Sequence, residues 1–388
     1  MKLSNNQIFR IIVLFLILPV TSCRKTNTSI PNENIIAPAG MFVFSPTETR
    51  TITPTPSVTA TQTPTTTLSP YPTIPYPLKP GPVITRENAR RIVLLGTVPE
   101  KLAGGVAGAQ LAWSPDSSRI AVTTEGEGVR IIDPLQMKEI GEILQNTEGI
   151  FDQPGGIAYS PDGKWLAVAI PMGVFSNPGD VYLYDSQTYR RGRDIIKWFG
   201  AYTLAFSHNG RWLAFGTHTV GGVIDLASGN VLFNFGNRLT DITFILFSWN
   251  DEYFTAYGNN MFTPILMNTK TWSLEYEIEG EICFSRDNKY FAMAPGIWSL
   301  GDFQVIHSFG NNFHIGMCDF GEQGDVLFTS IGGVGLVILE TEKGDDLNLL
   351  IPESNQESIN TIALSPDGRM LAVIDWKQGG VSFWGVTS

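Results

Sequence analysis

The chain has 388 residues, with 26 Lys+Arg against 37 Asp+Glu and a formal net charge of −11. That acidic balance, with no basic cluster beyond short pairs such as Arg190-Arg191, excludes the counterion-releasing patch that nucleic-acid binding requires. Charged residues are only 16% while Gly numbers 39 and aromatics reach 11%, a composition that suits a turn-rich all-β domain, and three cysteines are too few for a disulfide framework.

The first element is a targeting segment. Lys2 and Arg10 precede an apolar stretch, Ile11 to Val20, which is too short for a permanent membrane span. It ends in Val20-Thr21-Ser22-Cys23. This resembles the bacterial lipoprotein signal, in which residues 1–22 are removed and Cys23 receives the lipid. The other reading is an ordinary secretory signal with an incidental cysteine. Acyl chains contribute about 0.8 kcal/mol per buried CH₂, so several chains on one residue anchor firmly. The resemblance implies a chain held at the cell membrane or outer membrane, facing away from the cytoplasm.

Residues 23–83 read as a linker. Between 51 and 80, ten residues are Thr and eight are Pro, with Lys79 the only charge. So little apolar surface does not offset chain entropy, and the segment is expected to stay disordered. Proline favours an extended chain of roughly 3.1 Å per residue, so this stretch spans on the order of 90 Å. The composition is also that of O-glycosylated stalks, although an unmodified spacer is the simpler reading.

From residue 84 onward the sequence repeats. Seven copies of one phrase begin at Leu111, Ile157, Leu204, Ile245, Ile282, Cys318 and Ile362; examples are IAYSPDGKWLAV and IALSPDGRMLAV. The serine, or Gly321 in its place, falls at 114, 160, 207, 248, 285, 321 and 365. Periods near forty with several strand-like pieces each mark propeller blades. Apolar residues one and three before the serine alternate with a mostly small residue between them, as a strand packed between two sheets requires. Ser-Pro-Asp-Gly then makes a turn, with Pro presetting φ and Gly at the fourth position, and a second apolar strand follows.

A third strand closes each copy, ending in pairs such as Ile132-Asp133, Tyr184-Asp185, Ile224-Asp225 and Trp384-Gly385. Here residues 84–388 resemble the WD40-repeat propeller family, whose third strand ends in Trp-Asp. No copy has the full Trp-Asp, and the Gly-His dipeptide that precedes a typical repeat is missing. The family's Asp-His-Ser/Thr-Trp hydrogen-bond tetrad therefore cannot be carried over, and apolar packing must hold the blades. The seventh copy stops after its third strand. Upstream lies ITRENARRIVLLGTVP, where Thr85 can cap a short helical turn and Arg91 to Val98 reads as a strand. The resemblance implies that this strand completes the last blade and closes the ring. The expected fold is an all-β, seven-bladed propeller closed by an N-terminal strand.

No catalytic or metal-ligating constellation stands out. His208 sits in the Pro slot of a turn and reads as a solvated turn residue; His218 and His314 fall in loops and His307 in an outer strand. Gly332-Gly333-Val334-Gly335 and Asp345-Asp346 read as turns, not as phosphate or calcium loops. Cys283 and Cys318 fall in innermost strands of adjacent blades with side chains on facing sides. Sheets stack about 10 Å apart, so two buried thiols are expected. The expected function is a non-enzymatic binding or scaffold propeller, without cofactor or metal, for a protein, peptide or glycan. The alternatives are a hydrolase or lactonase, or an accessory to envelope assembly or transport. Loops between second and third strands, and between blades, share one face in this family. In this chain they carry Phe151, Phe175, Trp198, Phe199, Arg238, Phe262 and Trp376. Aromatics and Arg are enriched in binding hot spots, which makes these the candidate contact residues.

Overall fold

The structure is a computed structural model that describes residues 77–100, 109–124, 128–143, 155–170, 180–197, 201–218, 220–235, 241–258, 265–277, 282–309, 315–331, 334–352, 359–375 and 379–387. These residues form seven four-stranded antiparallel sheets, the blades of a β-propeller. Blade one runs through Leu111–Trp113, Ile120–Thr124, Gly128–Asp133 and Lys138–Ile143. Each of the next five repeats that order. Blade seven takes three strands from the C-terminus, Ile359–Leu364, Met370–Asp375 and Gly380–Val386, and its outer strand, Ile92–Pro99, from before blade one. Ile92 pairs with Val386 and Pro99 with Gly380, with one irregularity between Leu94 and Gly96. The expected closure is therefore present. Thr85 behaves differently from expectation: the helical turn is a short 3₁₀ segment at Ala89–Arg91, and the Thr85 backbone carbonyl, not its side chain, accepts the N–H groups of Asn88 and Ala89.

The repeated serine has a mechanical role. In six blades its hydroxyl donates to the Asp or Asn two residues on, at 2.6–2.9 Å. The same oxygen accepts the backbone N–H five residues on, at 2.8–3.0 Å. A buried side chain thus closes each turn with both of its hydrogen-bonding roles filled. Blade six has Gly321 there; a Cβ would lie 2.5 Å from Val326 Cγ2, which leaves no room for a serine in this backbone. The fourth turn residue is left-handed in every blade, with φ from 57° to 72° at Ser117, Gly163, Gly210, Asp251, Asn288, Gly324 and Gly368. At the end of the third strand, Asp133, Asp185 and Asp225 accept N–H groups two and three residues on. These aspartates at the ends of the third strands thus cap the turns that follow.

Seven apolar clusters lie one between each pair of neighbouring blades, including the pair of seven and one. Blades four and three share the most aromatic of them, with Phe235, Phe247 and Phe254 each 2% exposed or less. Leu78, at the start of the described chain, packs into the cluster between blades seven and one, and its N–H donates to Leu135.

Candidate functional site

The innermost strands of all seven blades line a central channel, a cavity of about 480 Å³. Its wall alternates aliphatic side chains, such as Leu111, Ile157 and Ile362, with polar ones, Gln110, Thr203, Thr243 and Thr361. Among the described residues Asp319 is the single carboxylate lining it. It occupies the small-residue slot of blade six, where four other blades have Ala. One of its oxygens accepts the Leu364 N–H at 2.8 Å across the blade boundary. The side chain is half-buried where it borders the channel. That burial pushes its pKa up, against the opposing pull of Arg286 and the N–H groups of Leu364 and Phe320.

At the face where the Ser-x-Asp turns lie, the second turn residues of four successive blades, His208, Trp249, Arg286 and Glu322, make a continuous contact. The His208 ring stacks on Trp249 at 4.2 Å, and the Arg286 guanidinium lies 4.9 Å from the Trp249 ring centre. Arg286 pairs with Glu322 and also donates to the Ser365 carbonyl at 2.9 Å and to those of Leu364 and Pro366 in blade seven. Its side chain is only 8% exposed. The fork of a guanidinium suits this multiple recognition of carbonyls and carboxylate. His208 is thus not a solvated turn residue as its place in the turn suggested. Half-buried against Trp249, it lines the channel, and burial lowers its pKa despite the nearby Asp251 carboxylate. Sequence alone missed this group because its four members follow one another at 36–41 residues and meet only when the ring forms.

Cys283 and Cys318 form a disulfide across blades five and six, with Cα atoms 5.8 Å apart. The expectation of two thiols fails for a geometric reason. The 10 Å spacing holds for sheets stacked face to face, whereas propeller blades converge toward the axis and both cysteines sit on the innermost strands.

Cys23, Phe151, Phe175, Trp198, Phe199, Arg238, Phe262 and Trp376 lie outside the described residues, as does His314. His218 pairs with Asp241, and His307 lies in the outer strand of blade five against Phe309. Among the described residues no group of three or more His, Cys, Asp and Glu could hold a metal ion, and no helix is long and apolar enough to cross a membrane.

Asp319 gives a pH-dependent prediction. A carboxyl whose folded pKa is raised binds its proton more tightly in the folded state, so stability falls as pH rises from the unfolded toward the folded value and stays lowered above it. Asp319→Asn keeps an acceptor for Leu364 and removes the buried charge. The variant is expected to melt higher than the wild type at pH 7.5, with the gain shrinking toward pH 4. Melting curves across that range check it; a lower melting temperature at pH 7.5 contradicts it. No protein-family model matches the chain, and no curated protein shows significant similarity to it.

Proposed function

We propose that this is a lipid-anchored binding propeller of WD40 type, displayed outside the cytoplasm on a Thr/Pro stalk, which takes a protein, peptide or glycan at the channel mouth opposite the Ser-x-Asp turns. The fold supports a binding or scaffolding role in general terms, since rigid propellers present variable loops. The observation that carries the reading is Asp319: a half-buried carboxylate kept in a channel that His208 and Trp249 line on the turn side. Charge held at a cost to stability is characteristic of functional positions. The lipobox at Cys23 and the disulfide both favour an oxidising, extracytoplasmic setting. The aromatic loop residues, Trp198 and Trp376 foremost, supply the contact surface, and the role is non-enzymatic.

Membrane fractionation combined with partner capture tests this. After a carbonate wash the wild type stays with membranes and Cys23→Ala does not. A Trp198→Ala/Trp376→Ala pair stays anchored, melts within a few degrees of wild type and captures less partner. A membrane-bound Cys23→Ala variant overturns the anchor, and unchanged capture by the tryptophan pair overturns the binding surface.

A further inference from the structure

Each innermost strand runs toward its Ser-x-Asp turn, so residues early in the strand stand nearer the opposite mouth of the channel. The repeat therefore orders the wall in layers. Gln110, Thr203 and Thr361 hold the fourth position before the turn serine, and Thr243 stands one residue further out in blade four. A belt of apolar side chains follows, among them Leu111, Ile157, Leu204 and Ile362. Asp319 lies one layer below that belt. At the rise of a β-strand this places it roughly 7 Å deeper than Thr203 and Thr361.

Thr203 points to a ligand. It is 4% exposed and lines the channel, and its hydroxyl has no hydrogen-bond partner among the described residues. The hydroxyls of Thr243 and Thr361, half-buried on the same wall, have none either. By contrast, Thr124, Thr217 and Thr269 donate their hydroxyls to backbone carbonyls. Buried polar groups are rarely left without a partner, so these three take theirs from what fills the channel. The lining also selects a ligand class. Among the described residues no Lys or Arg borders the channel, and Asp319 disfavours an anion. Nor does Asp319 call for a cation, since it accepts the Leu364 N–H and lies in the field of Arg286. Hydroxyls both donate and accept, so three open threonines match a neutral ligand that carries hydroxyls itself. A carboxylate accepts from such a hydroxyl in a charge-assisted bond. The aliphatic belt offers a surface for the C–H face of a saturated ring. At about 480 Å³ the channel falls in the size range of small-molecule sites.

We propose that the channel takes a neutral pyranose, the terminal sugar of a glycan, through the mouth opposite the Ser-x-Asp turns. Thr203, Thr243 and Thr361 meet one edge of the ring, and Asp319 accepts from a hydroxyl on the deeper edge. The four groups come from blades three, four, seven and six, so they surround the axis. This inference rests on the reading of that mouth as the binding face and commits it to a glycan.

The full chain is titrated, with saturation-transfer NMR as the readout, against the methyl glycosides of glucose, galactose, mannose and N-acetylglucosamine. Tetrahydropyran-2-methanol serves as a ring without secondary hydroxyls, and n-pentylamine as a cation. At least one glycoside is expected to saturate and to bind about tenfold tighter than tetrahydropyran-2-methanol, as two or more hydrogen bonds to the wall would give. Thr203→Val keeps the side-chain shape and should weaken that binding about threefold. Its melting temperature should not fall, since no hydrogen bond within the protein is lost. Asp319→Asn should weaken binding about tenfold, because the charge-assisted bond goes. Absence of saturable glycoside binding, equal binding of tetrahydropyran-2-methanol, or tighter binding of n-pentylamine overturns the sugar site. Full affinity in either variant, or a lower melting temperature in Thr203→Val, overturns it as well. Partner capture that still depends on Trp198 and Trp376 would then leave the binding face standing, so the two readings fail separately.

Discussion

Removing residues 84–99 is expected to abolish cooperative folding. This segment supplies the outer strand of blade seven and buries Ile84, Ala89, Ile92, Leu95 and Val98, with Ile84 and Ala89 wedged between blades six and seven. Burying each large aliphatic side chain contributes about 1.5–3 kcal/mol. Together they approach the total stability of a domain, roughly 5–15 kcal/mol. Polar ties go as well: the Arg86 N–H donates to Asp325 at 2.8 Å, its guanidinium to Glu340 at 3.0 Å, and the Asn348 amide to the Ala89 carbonyl. The deletion also exposes the unpaired edge of Gly380–Val386, a template for intermolecular pairing. Loss of the sigmoidal denaturation curve and a shift to larger species in light scattering are the expected readouts. Removing 24–76 instead, which spares Leu78, should leave the melting temperature within a few degrees. Equal melting of the two truncations would contradict the closure.

Loss of the Cys283–Cys318 bond is the second large effect. The cysteines are 35 residues apart, and cross-linking a loop of that length is expected to stabilise by about 4 kcal/mol, mainly by restricting the unfolded chain. For a domain of this size that corresponds to a fall of roughly 6 °C in melting temperature. Cys283→Ala/Cys318→Ala and the reduced wild type should fall together, since both lose the same constraint. Calorimetry with and without dithiothreitol checks this, and a wild type indifferent to reductant would contradict it.

What the chain reveals by itself is local and periodic. The serine of six phrases, its Asp or Asn partner and the alternation around it are contacts within about five residues, so one reading of the phrase describes a turn used in nearly every blade. The closing strand was expected only through the resemblance to WD40 propellers, in which an N-terminal strand completes the last blade, and Ile92–Pro99 pairs with Gly380–Val386 in that way. Other features depend on the radial placement of blades, which no spacing encodes. His208 leaves solvent because Trp249, one blade on, lies flat against it. The two cysteines meet because innermost strands converge at the axis. Ser117, Asp251 and Asn288 accept left-handed backbone where four other blades use glycine, since each gains an N–H donor from the preceding turn.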